Sequence, residues 1–335
     1  MKRFKWLNNL RFIISIILVA FAFYYKPLSY LYQTLFIALA IVIFSYPNKR
    51  LIHFYVKLVL ALVILGFGYY REQSSDLKTD GIMSVYYLDV GQAESTLIIF
   101  PDGKTGIIDA GTYENGPQII SKMKELGFQD IDYLFVTHAH ADHIGGMGDV
   151  VKAFDIKELY MPNAPKDLEM DSFSYNHFIQ EANNKKYTII DAKEGIKINN
   201  GSYNIEVVYP NDFVESQDLN QYSLILRVEY NDVSFLFTGD AGFYAEYNIL
   251  KNDIESDFLQ IGHHGSYEST SQQFLEAVNP NVAIISVGLD NEHNLPNNNV
   301  LNRLEERGIN IYRTDLNGTI LVKTDGLEYE IITEQ

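Results

Sequence analysis

Along the chain the apolar positions change character once. Residues 12–25, 28–46 and 58–70 are uncharged, nearly unbroken apolar runs, whereas beyond residue 81 short apolar runs alternate with turn residues. The middle run is long enough to cross a bilayer, and the outer two reach that length with snorkelling flanks such as Arg11 and Lys57. Three transmembrane helices are therefore expected within residues 1–70. A secretory signal peptide is the alternative for the first run, but no small-residue cleavage site follows it and two further apolar runs do. Lys2, Arg3, Lys5 and Arg11 precede the first run, Lys49 and Arg50 separate the second from the third, and only Lys26 lies between the first two. This bias places the N-terminus inside and everything after Tyr70 outside, giving a multi-pass cell-membrane protein embedded in the lipid bilayer.

The polar stretch REQSSDLKTDG, residues 71–81, reads as a linker, and residues 82–335 as one domain. MSVYYLDV and STLIIF are expected strands, and PDGK turns the second into TGIIDAG. GPQIISKMKELG is an expected helix ended by Gly127, and IDYLFV the strand after it. SLILRVEY and VSFLFTGD form a hairpin around Asn231 and Asp232. FLQIG, the helix SQQFLEAVN, VAIISVG, the helix VLNRLEERG, INIYRT and GTILVKT complete the pattern, while residues 150–220 carry little signal. Strands followed by helix and strand in both halves predict two sheets sandwiched between helices, an α/β αββα architecture.

Charge is as unevenly placed as hydrophobicity. Residues 1–70 hold eight of the 26 Lys and Arg and none of the 43 Asp and Glu, so residues 71–335 carry 18 basic and 43 acidic groups, a formal charge of −25. Such a body repels long polyanions unless cations or a local basic patch intervene. The chain has no cysteine, which is compatible with an extracellular domain.

Into this frame falls LFVTHAHADHIGGM, where His138, His140, Asp142 and His143 lie within six positions after an apolar strand. Alternate residues of an extended segment face one side, so His138 and His140 can point together, and a turn after the strand can aim Asp142 and His143 at a second ion. Imidazoles and carboxylates without thiolate suit zinc, and also manganese or iron. Later in the chain, Asp240 follows FTG and the His263–His264 pair follows a strand beside Gly265. Taken alone, Asp240 also suits a helix cap. His177 sits in an expected helix and reads as an ordinary histidine.

HAHADH resembles the H-x-H-x-D-H signature of the metallo-β-lactamase superfamily, and YLDVGQAES, IIDAG and FTGDA resemble further segments of that family in the same order. Within it, PDGKTGIIDAG, NQYSLILRVEY, LFTGDA, IGHHGSYESTS, AIISVG and YRTDLNGTI are most similar to the hydrolase domain of ComEC-type competence proteins, over about residues 82–325. The resemblance implies two divalent metal ions held by His138, His140, Asp142, His143, Asp240 and His264, with Asp240 bridging. It implies catalytic roles for Asp142 and His263, and a contact in which Asp89 supports a ligand histidine from behind. Where the family pattern offers a further histidine between HxHxDH and the bridging aspartate, this chain has only His177, with Asn220 in NQYS as the local counterpart. Where AIISVG is ordinarily followed by a histidine, Leu295 stands, with His293 two positions earlier. The opening motif reads Gln-Ala-Glu in place of Gln-Gly-Asp. The channel helices of ComEC-type proteins have no counterpart in three short runs, so transport is not implied.

The expected function is a membrane-anchored extracellular metal-dependent hydrolase acting on a phosphodiester. DNA is one such substrate, and a choline- or glycerol-phosphate unit of the envelope another; a protein partner is unknown. The alternative is a degenerate metal-binding or sensing module without turnover. Carbonyl hydrolysis uses the same chemistry and is a third reading.

Overall fold

The computed structural model describes residue 79 and residues 81–335, except 166, 167 and 169–171. The three expected membrane spans and almost all of the expected linker lie outside the described residues. Among the described residues, no helix is long and apolar enough to cross a membrane.

Two sheets face each other. The first has eight strands in the order β15-β14-β1-β2-β3-β4-β5-β6, namely Tyr329–Thr333, Ile320–Thr324, Met83–Tyr87, Thr96–Ile99, Thr105–Ile108, Ile131–Phe135, Ile156–Met161 and Ile189–Asp191. The second has seven in the order β13-β12-β11-β10-β9-β8-β7, namely Asn310–Arg313, Val282–Ile285, Phe258–Gln260, Val233–Phe237, Ile225–Tyr230, Asn204–Tyr209 and Lys197–Asn199. Strands β3 to β6 run parallel, as do β10 to β13. The carboxyl ends of parallel strands are where open sheets place ligands.

Period-two side chains divide the core into layers. In β4, Tyr133 and Phe135 face the space between the sheets with Val85, Phe235, Phe237 and Phe258, while Leu134 faces outward. That outer face of the first sheet is covered by α1 (Gly116–Glu125), α3 (Met147–Ala153) and α4 (Ser172–Asn184), through residues such as Ile119, Met123, Val150 and Phe178. The short α2 (Ala141–Ile144) precedes α3. The outer face of the second sheet, with Leu236, Leu259 and Ala283, is covered by α5 (Phe243–Ile249), α6 (Gln272–Val278) and α7 (Asn298–Glu305). A last short helix, α8 (Thr314–Asn317), turns the chain from β13 into β14. The result is the expected two-sheet sandwich between helices.

One strand crosses the divide. INIYRT becomes β13 on the edge of the second sheet, but GTILVKT becomes β14 and pairs antiparallel with β1 in the first, Val85 opposite Val322. The low-signal stretch holds β5 to β8 and α4; IID and KIN form three-residue strands at sheet edges, with mostly part-buried or exposed side chains.

Candidate metal centre

Three parallel strands end at one place. β4 delivers His138 and, through the turn into α2, His140, Asp142 and His143; β10 delivers Asp240; β11 delivers His263 and His264. Backbone bonds lock the ends together: Leu224 N–H donates to Thr137 O at 3.0 Å, and His263 N–H to Gly239 O at 3.0 Å. Gly239, at φ +48°, lies where a Cβ would meet the Thr137 side chain at 2.9 Å, so the absence of a side chain lets the β10 loop close on β4.

The side chains converge into two overlapping groups, His138/His140/Asp240 and Asp142/His143/Asp240/His264, the donor atoms of each lying within 4.8 Å of one another. His138 Nε2 is 3.0 Å from His140 Nδ1 and 3.7 Å from Asp240 Oδ2. On the other side, Asp240 Oδ1 is 3.1 Å from His143 Nε2 and 3.8 Å from His264 Nε2, and Asp142 Oδ2 is 3.3 Å from His264 Nε2. Asp240 thus belongs to both groups, one carboxylate oxygen towards each. Asp240 Oδ1 and His143 Nε2 are buried and face each other without a hydrogen bond. Two such atoms aimed at one point, among imidazoles and carboxylates, fit a divalent cation of the zinc or manganese kind.

Electrostatics reflect the crowding. Burial, reinforced by the neighbouring His143, holds the His138 imidazole far below its ordinary value and therefore neutral, the form that ligates. Burial opposes the charged forms of Asp240 and Asp142, but His143 and His264 outweigh it and hold both carboxyls below their usual range. Burial also disfavours charge on His264, yet Asp240 and Asp142 lift it to about 9.

The supporting residues differ from expectation in one respect. Asp89 does not reach a histidine: its Oδ1 accepts the Gly91 N–H at 3.2 Å in a local turn. The carboxylate that supports a ligand candidate is Asp109, in IIDAG. It is fully buried and accepts His143 Nδ1–H at 2.7 Å, Thr137 N–H at 2.8 Å and Thr137 Oγ1–H at 2.6 Å. His264 is fixed by Nδ1–H to Ser286 O at 2.7 Å. Ser223 Oγ, which the sequence did not suggest, lies 3.4 Å from His138 Nδ1 and accepts the Asp240 N–H at 3.2 Å.

His263 and His264 sit at φ +51° and +52°, a left-handed pair of non-glycine residues that turns the two rings apart. His264 is buried in the centre, whereas the His263 side chain is 30% exposed, with Nε2 3.8 Å from Asp240 Oδ2 and 3.5 Å from Asn220 Nδ2. Asn220 therefore does reach the rim. His177 does not: it packs on Gly148, 3.8 Å from Asp149 Oδ1. Leu295 packs against the outer core of the second sheet and brings no donor, and His293 is exposed.

A two-sheet sandwich with imidazoles and a shared carboxylate at its strand ends is the architecture of a superfamily of metal-dependent hydrolases. The chain belongs to the metallo-beta-lactamase superfamily, whose family model matches residues 88–288. It is 29% identical over 256 residues to ComE operon protein 3 of Bacillus subtilis, covering 70% of this chain and 32% of that protein. It is 30% identical over 240 residues to recombination protein 2 of Haemophilus influenzae, covering 70% of this chain and 28% of that one. The chain therefore spans about a third of the length of these relatives. A shorter stretch of 66 residues is 32% identical to exodeoxyribonuclease YycJ of Bacillus anthracis, covering 20% of this chain and 25% of that protein.

Proposed function

We propose that this chain is a membrane-anchored phosphodiesterase with its hydrolase domain outside the cell, using two divalent cations held by His138, His140 and Asp240 on one side and Asp142, His143, Asp240 and His264 on the other. The observation that carries the reading is Asp240, whose two carboxylate oxygens are turned to two different imidazole groups. The three apolar runs before residue 71 are the basis for the anchor.

When bound, such a pair supplies Lewis acidity, acidifying water and neutralising charge that develops on a phosphoryl oxygen. The chain's own residues orient and move protons. Asp142, with its side chain 32% exposed, is the accessible carboxylate of the centre and accepts the proton of the attacking water. His263, the accessible imidazole at the rim, donates to the departing alkoxide and is steadied by Asn220. Asp109 and Ser286 hold the rings of His143 and His264 in the tautomers that leave Nε2 free for a ligand role. The name of the Bacillus anthracis relative favours a phosphodiester bond as the target.

The test is elemental analysis of the full-length protein beside Asp240→Ala and His263→Ala, with hydrolysis of bis(p-nitrophenyl) phosphate measured on the same samples. About two ions per chain are expected in the wild type. Asp240→Ala should lose metal and activity together, and His263→Ala should keep metal while turnover falls about 10²-fold or more. Metal without hydrolysis would favour the non-catalytic metal-binding module, and no metal would end the reading.

A further inference from the structure

Beside the candidate centre lies a cavity of about 280 Å³ that reaches His138. Its buried apolar walls include Met161 and Leu219, and the part-buried Ile179 and Ile189 continue them. Asn163 and Asp191 are exposed and so stand at the mouth, where Asp191 Oδ1 accepts the Asn163 N–H at 3.0 Å. Among the described residues, no Lys or Arg lines it. The adjoining groove contains Lys193, but that ammonium is paired with Asp212 at 2.9 Å.

This cavity is close to the lower size limit of small-molecule pockets and, like them, is mostly apolar, with polar groups at its two ends, Thr137 and His138 inside and Asn163 and Asp191 at the mouth. A nucleic-acid track needs the opposite, a row of cations along the backbone. An anionic arm entering here would meet apolar walls and a carboxylate at the mouth, with no Lys or Arg among the described lining residues to pair with it.

We infer that the cavity seats one ester arm of the substrate, and that this arm is a compact, uncharged apolar or aromatic group, so the preferred substrate is a small diester rather than a long nucleic acid. The inference rests on the phosphodiesterase reading and names its substrate class. In the reaction water adds to phosphorus, the bond from phosphorus to the leaving oxygen breaks with its electron pair kept by that oxygen, one water proton passes to the departing alcohol, the other is released, and the arm stays on the dianionic monoester.

The experiment compares p-nitrophenyl phosphodiesters of the full-length, metal-loaded protein that share p-nitrophenolate as leaving group and differ in the other arm: methyl, phenyl, 4-carboxyphenyl and choline. The phenyl arm should raise kcat/KM over methyl on the order of 10-fold, and the carboxylate should abolish that gain. Ile189→Phe and, independently, Ala164→Leu fill the cavity and should bring the phenyl-to-methyl ratio towards one, with melting curves checking that each variant folds. A wild-type ratio near one, a ratio unchanged in the filled variants, or a choline arm faster than phenyl would overturn the assignment. If no diester is hydrolysed, the phosphodiesterase reading has failed, and calorimetry with diphenyl phosphate decides the cavity separately. Binding to the wild type that both filled variants lose supports the pocket, and any other result overturns it.

Discussion

Asp109→Asn probes whether the centre is held from behind. Asp109 is fully buried and takes three donors, from His143 Nδ1, Thr137 N and Thr137 Oγ1, at 2.6 to 2.8 Å. Asparagine keeps the volume and tolerates the left-handed backbone that Asp109 adopts at φ +55°. It has one acceptor oxygen and an NH₂, however, so the amide cannot satisfy all three donors and presents N–H to at least one of them. A buried donor left without an acceptor costs about 1–3 kcal/mol, and bonds to a charged acceptor are at the upper end. Part of that loss falls on fold stability and part on His143, which loses the contact that fixes its ring. Carboxylates behind a metal-binding histidine are typically worth about 10–100-fold in affinity, or about 1.4–2.7 kcal/mol. Zinc affinity by competition with a chromophoric chelator should fall by that factor. Asp89→Asn, whose carboxylate serves a local turn, should stay within about twofold of wild type. Equal losses in the two variants, or wild-type affinity in Asp109→Asn, would refute the argument that Asp109 orients His143.

Two further outcomes follow from groups around the centre. Glu94 is buried with neither carboxylate oxygen hydrogen-bonded, and burial raises its pKa from 4.5 to about 8, with His143 opposing and Asp109 assisting. The folded chain then keeps a proton that the unfolded chain has released, so this group lowers the stability of chelator-treated protein as pH rises from about 4.5 to about 8. Glu94→Gln cannot titrate and should melt with a flatter pH dependence between about 5 and 8; an unchanged slope in scanning calorimetry would count against it. Gly145 permits a close backbone approach under the ligands, since a Cβ there would lie 2.4 Å from Ala141 O, Thr112 C and Tyr113 N. Gly145→Ala should destabilise by about 1–3 kcal/mol, lowering Tm by about 2–4 °C for each kcal/mol. A melting point indistinguishable from wild type would show that α2 can shift at no cost.

What was legible in the chain follows sequence separation. His138, His140, Asp142 and His143 declare themselves because a strand end and the turn after it supply most of the donors from six consecutive positions. The β9–β10 hairpin was legible for the same reason, with both partners beside one turn. Asp109 was not, because its partners lie 28 and 34 residues away and nothing in IIDAG says that its carboxylate points towards them. Ser223 reaches His138 across 85 residues. The departure of β14 to the first sheet is likewise a matter of tertiary pairing: ILVKT alternates buried and part-buried positions that would suit the edge of either sheet. β6 and β7 offered too few apolar positions for any period to show.

The centre is expensive for the fold, and that cost narrows its purpose. Asp109, Asp240, His138, His143 and His264 are all nearly inaccessible, and the recorded ion pairs of Asp142 and Asp240 are with imidazoles alone. Two consecutive left-handed histidines add strain of order 1 kcal/mol or more each. Buried polar groups repay such costs only when their charges and lone pairs are matched. Imidazoles match the carboxylates in part, but Asp240 Oδ1 and His143 Nε2 still lack hydrogen bonds. Divalent cations would complete the match, and their binding free energy would then be folding free energy for the strand ends that carry the ligands. On the proposed reading, the same matching would let so acidic a body address an anionic ester: among the described residues no Lys or Arg pairs with the centre's carboxylates, so charge on the phosphoryl oxygens would be met by cations held there, and the cavity beside His138 would be left to discriminate between the arms.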